Sequence, residues 1–291
     1  MFLSGWHPVA IGPFEPTIPN GRWLFAMGHR TATMSVLDEF SLEGQRAVVT
    51  GAGRGLGNVM ATAYAEAGAD VAIVDVDAET AEQAADEIAE LGVETTSVTA
   101  DVSDEAEVEA MTETVVDRLG GIDILLNNAG IVSNTPAEEM PVDEWQATMD
   151  VNLTGVFLCS KHVGRHMLER GSGTIVNISS MSGLVANHPQ PQIAYNASKA
   201  GVIMVTRSLA SEWGDRGVRV NSIAPGYMRT DLVEDVLEED PEMAETWREY
   251  TPMGRLGKPT ELGPVAVFLA SEASSFMNGE IVSFDGGYTV R

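Results

Sequence analysis

Cysteine is all but missing: Cys159 is the only one in 291 residues. That excludes an internal disulfide framework and any cysteine-based metal cluster. Basic residues are scarce as well. Lys and Arg number 17 against 43 Asp and Glu, a formal net charge of −26. Such a surface repels phosphates and excludes a nucleic-acid partner. No apolar run approaches the ~18 residues of a membrane span, so no membrane partner is expected. What the chain does have is 44% hydrophobic residues, enough for a folded core and too many for a disordered chain.

The acid is unevenly spread. Residues 1–33 hold Glu15 against Arg22 and Arg30, which leaves 42 acids against 15 bases for residues 34–291. Lys161, Lys199 and Lys258 are the only lysines. An acid-rich, lysine-poor surface suits concentrated salt, where the Debye length falls to ~3 Å. A salt-accumulating cytoplasm is therefore expected; an ordinary acidic enzyme is the alternative. Residues 1–33 carry Gly-Pro, Glu-Pro and Pro-Asn-Gly punctuation without helical or strand period, and no secretory-signal pattern. They read as a flexible or mis-called leader, with Met34 as the start. The alternative is an ordered arm packing through Trp6, Phe14, Trp23 and Phe25.

From Gln45 onward, short Val/Ile/Leu-rich segments alternate with helix-length ones. Strands are predicted at Ala47–Thr50, Val71–Asp75, Thr95–Thr99, Ile124–Asn127, Thr174–Ser179, Arg219–Ile223 and Ile281–Phe284. They lack strict alternation, as strands buried on both faces do. Helices are predicted near 56–67, 78–91, 104–119, 143–170, 193–213 and 260–271, with Asp104 a start and Gly68, Gly92 and Gly120 stops. The reading is one α/β domain over residues 34–291: a Rossmann-like, doubly wound, seven-stranded parallel sheet.

Gly51, Gly53, Arg54, Gly55, Leu56 and Gly57 lie between the first strand and the first helix. Glycines there permit a tight turn and bring backbone N–H groups to a pyrophosphate at a helix N-terminus. Asp75 ends the second strand, 18 residues beyond Gly57 and close to the ~20 expected for a ribose-binding acid. Its carboxylate favours NAD and, with Asp77, repels the 2′-phosphate of NADP; Arg54 argues the other way. Asp101, with Val102, either meets the adenine or caps the following helix. Tyr195 and Lys199 stand at i and i+4 on one helix face. A lysine ammonium beside a tyrosine lowers the phenol pKa and makes it a usable base.

Taken together, Thr50–Gly57, Asn127–Gly130, Asn152, Ser180, Tyr195, Lys199, Pro225-Gly226 and Asp285-Gly286-Gly287 resemble the short-chain dehydrogenase/reductase family over residues 41–291. The resemblance implies catalytic residues Asn152, Ser180, Tyr195 and Lys199. Ser180 would orient the substrate oxygen, with Ser179 as its alternative, and Asn152 would position a relay water or merely cap a helix break. Asn128, Ala129, Gly130, Pro225, Gly226, Met228 and Thr230 would join the glycine loop in holding the cofactor. No metal is expected. The Ser180–Tyr195 spacing is 15 where 13 is common in the family, so Asn187–Gln192 should form a distinct pocket wall with Asn187, His188, Gln190 and Gln192 as polar contacts. Residues 179–196 resemble the branch acting on sugars and polyols. A 3-oxoacyl-thioester reductase and a catalytically silent nucleotide-binding regulator are the other readings. The family usually forms homotetramers through residues 152–170, 193–213 and the last strand, so a homotetramer or homodimer is implied. Residues 231–256 read as a lid or an acidic surface helix pair. Cys159 reads as core packing, and His162 and His166 as facing solvent or a neighbouring subunit.

Overall fold

The computed structural model describes residues 35–230, 233–234 and 239–290; the leader and part of the acidic excursion lie outside the described residues. The strands are β1 (Arg46–Thr50), β2 (Asp70–Asp75), β3 (Thr95–Thr99), β4 (Ile124–Asn127), β5 (Gly173–Ile178), β6 (Val218–Pro225) and β7 (Ile281–Phe284). All pair in parallel, in the order β3-β2-β1-β4-β5-β6-β7. The α-helices described are α1 (Gly55–Glu66), α2 (Ala78–Ala89), α3 (Glu105–Leu119), α4 (Val142–Met149), α5 (Gly155–Arg170), α6 (Ile193–Trp213), α7 (Pro241–Tyr250) and α8 (Leu262–Ala270).

Successive strand residues feed opposite layers. Ala47 and Val49 of β1 enter a core with Met60, Tyr64, Ile88 and Leu269, from α1, α2 and α8. Val48 enters the other, with Met111, Leu158 and Leu209 from α3, α5 and α6. Burial on both faces explains why the strands read as apolar runs. Helix boundaries follow local chemistry. Asp104 caps α3 by accepting from Ala106 N at 2.8 Å and Glu107 N at 3.1 Å, and Gly120 ends it at φ +80°, a conformation open to glycine.

One predicted helix differs. Residues 143–170 form α4 and α5 separated by a π-helical turn, Asp150–Thr154. The extra residue per turn rotates Asn152 out of the regular α register, and such turns concentrate at functional sites. Chain direction across the sheet reverses between β1 and β4. The crevice that ligands use in such sheets opens beyond their carboxyl ends. Thr50 Oγ1 clamps those ends, accepting from Asn128 N at 3.0 Å and Ala129 N at 3.2 Å.

Candidate active site

The crevice is lined first by the loop between β1 and α1. Gly57 sits so close to the strand end that a Cβ there would lie 2.2 Å from Gly51 O. Gly51 itself has φ +61°, and a Cβ would press on the Ala129 backbone at 2.8 Å. The loop is therefore a cradle of bare backbone closed against helix α1, whose first N–H groups have no helical partner. Gly55, at φ +64°, has nothing within 4 Å of a built Cβ, and Arg54 beside it is exposed. This open glycine face fits a dinucleotide pyrophosphate. Leu56 packs against the core below the loop.

Asp75 stands at the end of β2, half-buried. Its Oδ2 accepts from Gly53 N at 2.9 Å and its Oδ1 from Asp77 N at 3.2 Å. Those bonds fix the carboxylate and leave each oxygen a further lone pair for a ribose hydroxyl. Asp77 is committed to capping α2, accepting from Glu79 N at 3.0 Å and Thr80 N at 3.3 Å. Asp101 holds its own turn, accepting from Ser103 N at 2.9 Å and Ser103 Oγ at 2.7 Å; the helix cap falls to Asp104. The Val102 side chain is core, against Gly155, and Met228 packs beneath Gly257, so only backbone is left at either position to meet a ligand. The Asn128 amide braces the loop, donating to Thr50 O at 3.0 Å and Gly51 O at 2.9 Å. Pro225 and Gly226 end β6, and a Cβ on Gly226 would strike the Asp285 backbone at 2.7 Å. Thr230 follows, half-buried.

Asn152, Ser180, Tyr195 and Lys199 come from three separate elements and converge. Lys199 is buried on the first turns of α6 and donates from Nζ to Ile178 O at 2.9 Å. Its ammonium lies 5.6 Å from the centre of the Tyr195 ring. Two of its three donors remain for a ligand. Burial pushes its pKa down to about 8. A Cβ on Gly130 would meet Asn152 Oδ1 at 3.2 Å and Lys199 Nζ at 3.4 Å, so both groups crowd one glycine. Asn152 grips Ile131 at both backbone atoms, accepting from N and donating to O at 2.8 Å each. It also donates to Ser198 Oγ at 3.1 Å.

Ser180 follows β5, its Oγ accepts from Ser182 N at 3.1 Å, and its hydroxyl acts on the Tyr195 phenol. Ser179 is spent inside the fold, donating to Ile223 O at 3.0 Å and accepting from Ser222 Oγ at 2.8 Å. Gly183 lets the serine turn lie on α6, since a Cβ would be 2.7 Å from the Lys199 carbonyl. Burial pushes the Tyr195 phenol up, and the Ser180 hydrogen bond opposes it. The expected lowering of the tyrosine pKa by Lys199 is thus absent from the protein alone.

The pocket wall differs from its sequence reading. Asn187 Nδ2 donates to Gln192 Oε1 at 2.7 Å and Tyr227 Oη at 3.2 Å. Gln190 Nε2 donates to Tyr227 Oη at 3.0 Å, and its Oε1 accepts from Trp247 Nε1 at 3.0 Å. Gln192 Nε2 donates to Asn134 Oδ1 at 2.9 Å. The amides expected to face a substrate bind one another and neighbouring aromatics; Asn187 Oδ1 is buried without a partner. Tyr227, Trp247, Tyr288 and Glu144 were not singled out by sequence reasoning, and only the pairing of Tyr227 with Pro225-Gly226 hinted at one. Glu144 holds the loop after β4, accepting from Thr135 Oγ1 at 2.6 Å and from Ser133 Oγ; these bonds keep its carboxyl below the usual range.

The histidines are also corrected. His162 is buried, and its Nε2 lies 3.3 Å from Glu105 Oε1 on α3. His166 Nε2 is buried and unpartnered. Cys159 is buried, and desolvation pushes its thiol up to about 12.

Residues 51–289 match the family model described as enoyl-(acyl carrier protein) reductase. The galactitol 2-dehydrogenase of Rhizobium johnstonii is 45% identical over 257 residues, which is 88% of this chain and 99% of that protein. The chain belongs to the short-chain dehydrogenase/reductase family. A short-chain dehydrogenase/reductase from Mycobacterium marinum superposes with a TM-score of 0.84 at 43% identity, covering 88% of this chain and all of that one. A Burkholderia cenocepacia gluconate 5-dehydrogenase, solved with NADP and tartrate, gives 0.84 at 39% identity over 88% of this chain and 100% of its own. As a short-chain dehydrogenase/reductase the chain is an oxidoreductase, and its glycine cradle fits the nicotinamide dinucleotide that the family uses.

Proposed function

We propose that this enzyme interconverts a secondary alcohol and a ketone on a polyol or sugar, with NAD(H) as the preferred carrier and Tyr195 as general acid/base. The observation that carries the reading is the convergence of Ser180, Tyr195 and Lys199 beside the glycine cradle, in a chain similar to a galactitol dehydrogenase. The bound nicotinamide supplies the hydride acceptor. Ser180 orients the substrate hydroxyl and steadies the Tyr195 phenol. Tyr195 takes the hydroxyl proton as the carbonyl forms, and returns it in the reverse direction. Lys199 holds the ribose with its two unused N–H donors and keeps positive charge next to the phenolate. Asn152 fixes Ile131 and, beside Lys199, holds the route by which that proton leaves. Asp101 and Val102 border the adenine end, while Gly51, Arg54, Gly55, Leu56 and Gly57 bind the pyrophosphate. Asn128, Ala129, Gly130, Pro225, Gly226, Met228 and Thr230 border the rest of the cofactor.

Asp75 supports NAD, because a carboxylate aimed at the ribose repels a 2′-phosphate. The NADP in the Burkholderia relative and the free Arg54 support the opposite choice. A carrier-protein thioester would need a basic docking face, and 17 basic residues against 43 acids favour a substrate free in solution. Initial rates on a panel of polyols, aldonic acids and acyl alcohols, each with NAD and NADP, test the reading. Turnover of a polyol with NAD, abolished in Tyr195→Phe with NAD binding retained, is expected. A strong NADP preference overturns the cofactor choice, and near wild-type activity in Tyr195→Phe overturns the mechanism.

The exposed side of α5 and α6 supports a homo-oligomer. Phe157, Leu168, Leu209 and Trp213 line a cleft of about 430 Å³ there, among lysine, arginine and glutamate side chains, a mixed surface on which a second copy can pack.

A further inference from the structure

Three stretches distant in sequence meet at one side chain, Tyr227. They are the 187–192 insert between Ser180 and Tyr195, the segment after β6, and helix α7. Tyr227 Oη accepts from Asn187 Nδ2 at 3.2 Å and Gln190 Nε2 at 3.0 Å, and donates to His188 O at 3.3 Å. A phenol has one donor and two acceptor sites, so its capacity is filled. The Tyr227 ring stacks on Trp247 of α7, centroids 4.3 Å apart and planes 14° from parallel, and meets the Tyr288 edge at 5.8 Å. Gln190 is buried and uses its other end on Trp247 Nε1. Tyr288 Oη closes the ring of contacts by accepting from His188 N at 3.1 Å.

We propose that Tyr227 is a positioning residue that locks the insert to helix α7, so that the substrate wall and the helix above it move as one body. Without the hydroxyl, the Asn187 and Gln190 amides each lose an acceptor inside the protein, and the His188 carbonyl loses its donor. The Gln190 amide, buried and left without an acceptor, then searches for another arrangement, while the Asn187 amide keeps only Gln192. The insert then holds α7 through the Gln190–Trp247 hydrogen bond and the tilted contact of the His188 and Tyr250 rings, centroids 5.4 Å apart. The chain of contacts also runs outward, from Asn187 to Gln192 and on to Asn134 in the loop after β4. Tyr227 thereby sets the shape of a wall that reaches from residue 134 to residue 247. Burial raises the phenol pKa, so the Tyr227 donor persists at any working pH.

Tyr227→Phe is the direct probe, because it keeps the ring, the stack and the packing. In hydrogen exchange on the full chain with NAD alone, residues 187–192 and 241–250 should both exchange faster than in the wild type. Trp247→Phe, which removes the indole donor to Gln190 and shrinks the ring stacked on Tyr227, should also speed exchange in both segments. The kinetic arm rests on the proposed alcohol oxidation. There, KM for the accepted alcohol should rise about ten-fold, with kcat within about three-fold and NAD affinity unchanged, as for lost substrate binding. Faster exchange in only one segment, or in neither, overturns the lock. So does an unchanged KM, or a joint loss of kcat and NAD affinity, which marks general damage. If no alcohol is turned over, the exchange arm still decides the lock, and the failure belongs to the activity.

Discussion

Lys199 shows what a buried ammonium costs the fold. It is buried with a single protein acceptor, Ile178 O, and its pKa falls from 10.5 to about 8. A lysine with a depressed folded-state pKa is charged in both states below pH 8, and there its burial destabilises the protein in full. Between pH 8 and 10.5 the unfolded chain binds more protons, so stability rises with pH and the penalty disappears. The size is on the order of 3 kcal/mol at 1.36 kcal/mol per unit. Lys199→Met should therefore gain stability relative to the wild type at pH 7, and much of that gain should vanish by pH 10. Urea unfolding of both proteins at the two pH values checks it; a difference independent of pH would contradict the assignment. The lysine was legible only with the glycine loop and the other motifs beside it, since a tyrosine and a lysine at i and i+4 often occur by chance. Its bond to Ile178 O was not legible, because spacing fixes a helix face and leaves the rotamer open.

At the scale of elements, two helix features carry structure that the periodic pattern hides. The π turn at Asp150–Thr154 carries Asn152 to Ile131. An apolar period does not register one extra residue per turn, so this stretch reads as uninterrupted helix. The second feature is the end of α8. Arg219 of β6 donates to Leu269 O at 3.2 Å, Ser271 O at 3.1 Å and Ser274 O at 3.2 Å, and to Thr174 Oγ1 at 3.1 Å. It gathers the carbonyls at a helix C-terminus, where positive charge is favoured. Arg219→Leu should cost about 2–3 kcal/mol by orphaning them. Arg219→Lys should recover less than half, since an ammonium lacks the planar fork. Urea midpoints give both values, and a cost below about 0.5 kcal/mol for the leucine variant, the range of neutral surface changes, would refute the account.

At the scale of the whole molecule, most of the acid among the described residues lies on the outer faces of the helices, with Asp123 and Asp285 as inner exceptions. On α2, Ala81, Ala84, Ala85 and Ile88 are buried while Glu79, Glu82, Asp86, Glu87 and Glu90 are exposed. The charge excess therefore acts through self-repulsion at the surface, which salt screens. Melting temperature should be higher in molar potassium chloride than in dilute buffer. Greater stability in dilute buffer would contradict the salt-adapted reading.

The sequence by itself determined a seven-stranded, doubly wound parallel sheet, the glycine cradle after the first strand, and the placing of Tyr195 and Lys199 on one helix face. Each depends on local backbone demands or short spacings: φ > 0 in a tight turn, a bare backbone beside a phosphate, one helical turn between Tyr195 and Lys199. Only the tertiary structure decided which partners the polar side chains take. Asn187, Gln190 and Gln192 read as free substrate contacts, and they are bound to Tyr227, Trp247 and Asn134. His162 reads as surface, and it is buried against Glu105. A hydrogen bond between residues 40 or 57 positions apart leaves no periodic trace in the chain. It exists because packing the layers brings two groups together out of water, where a polar atom without a partner costs more than the bond itself contributes.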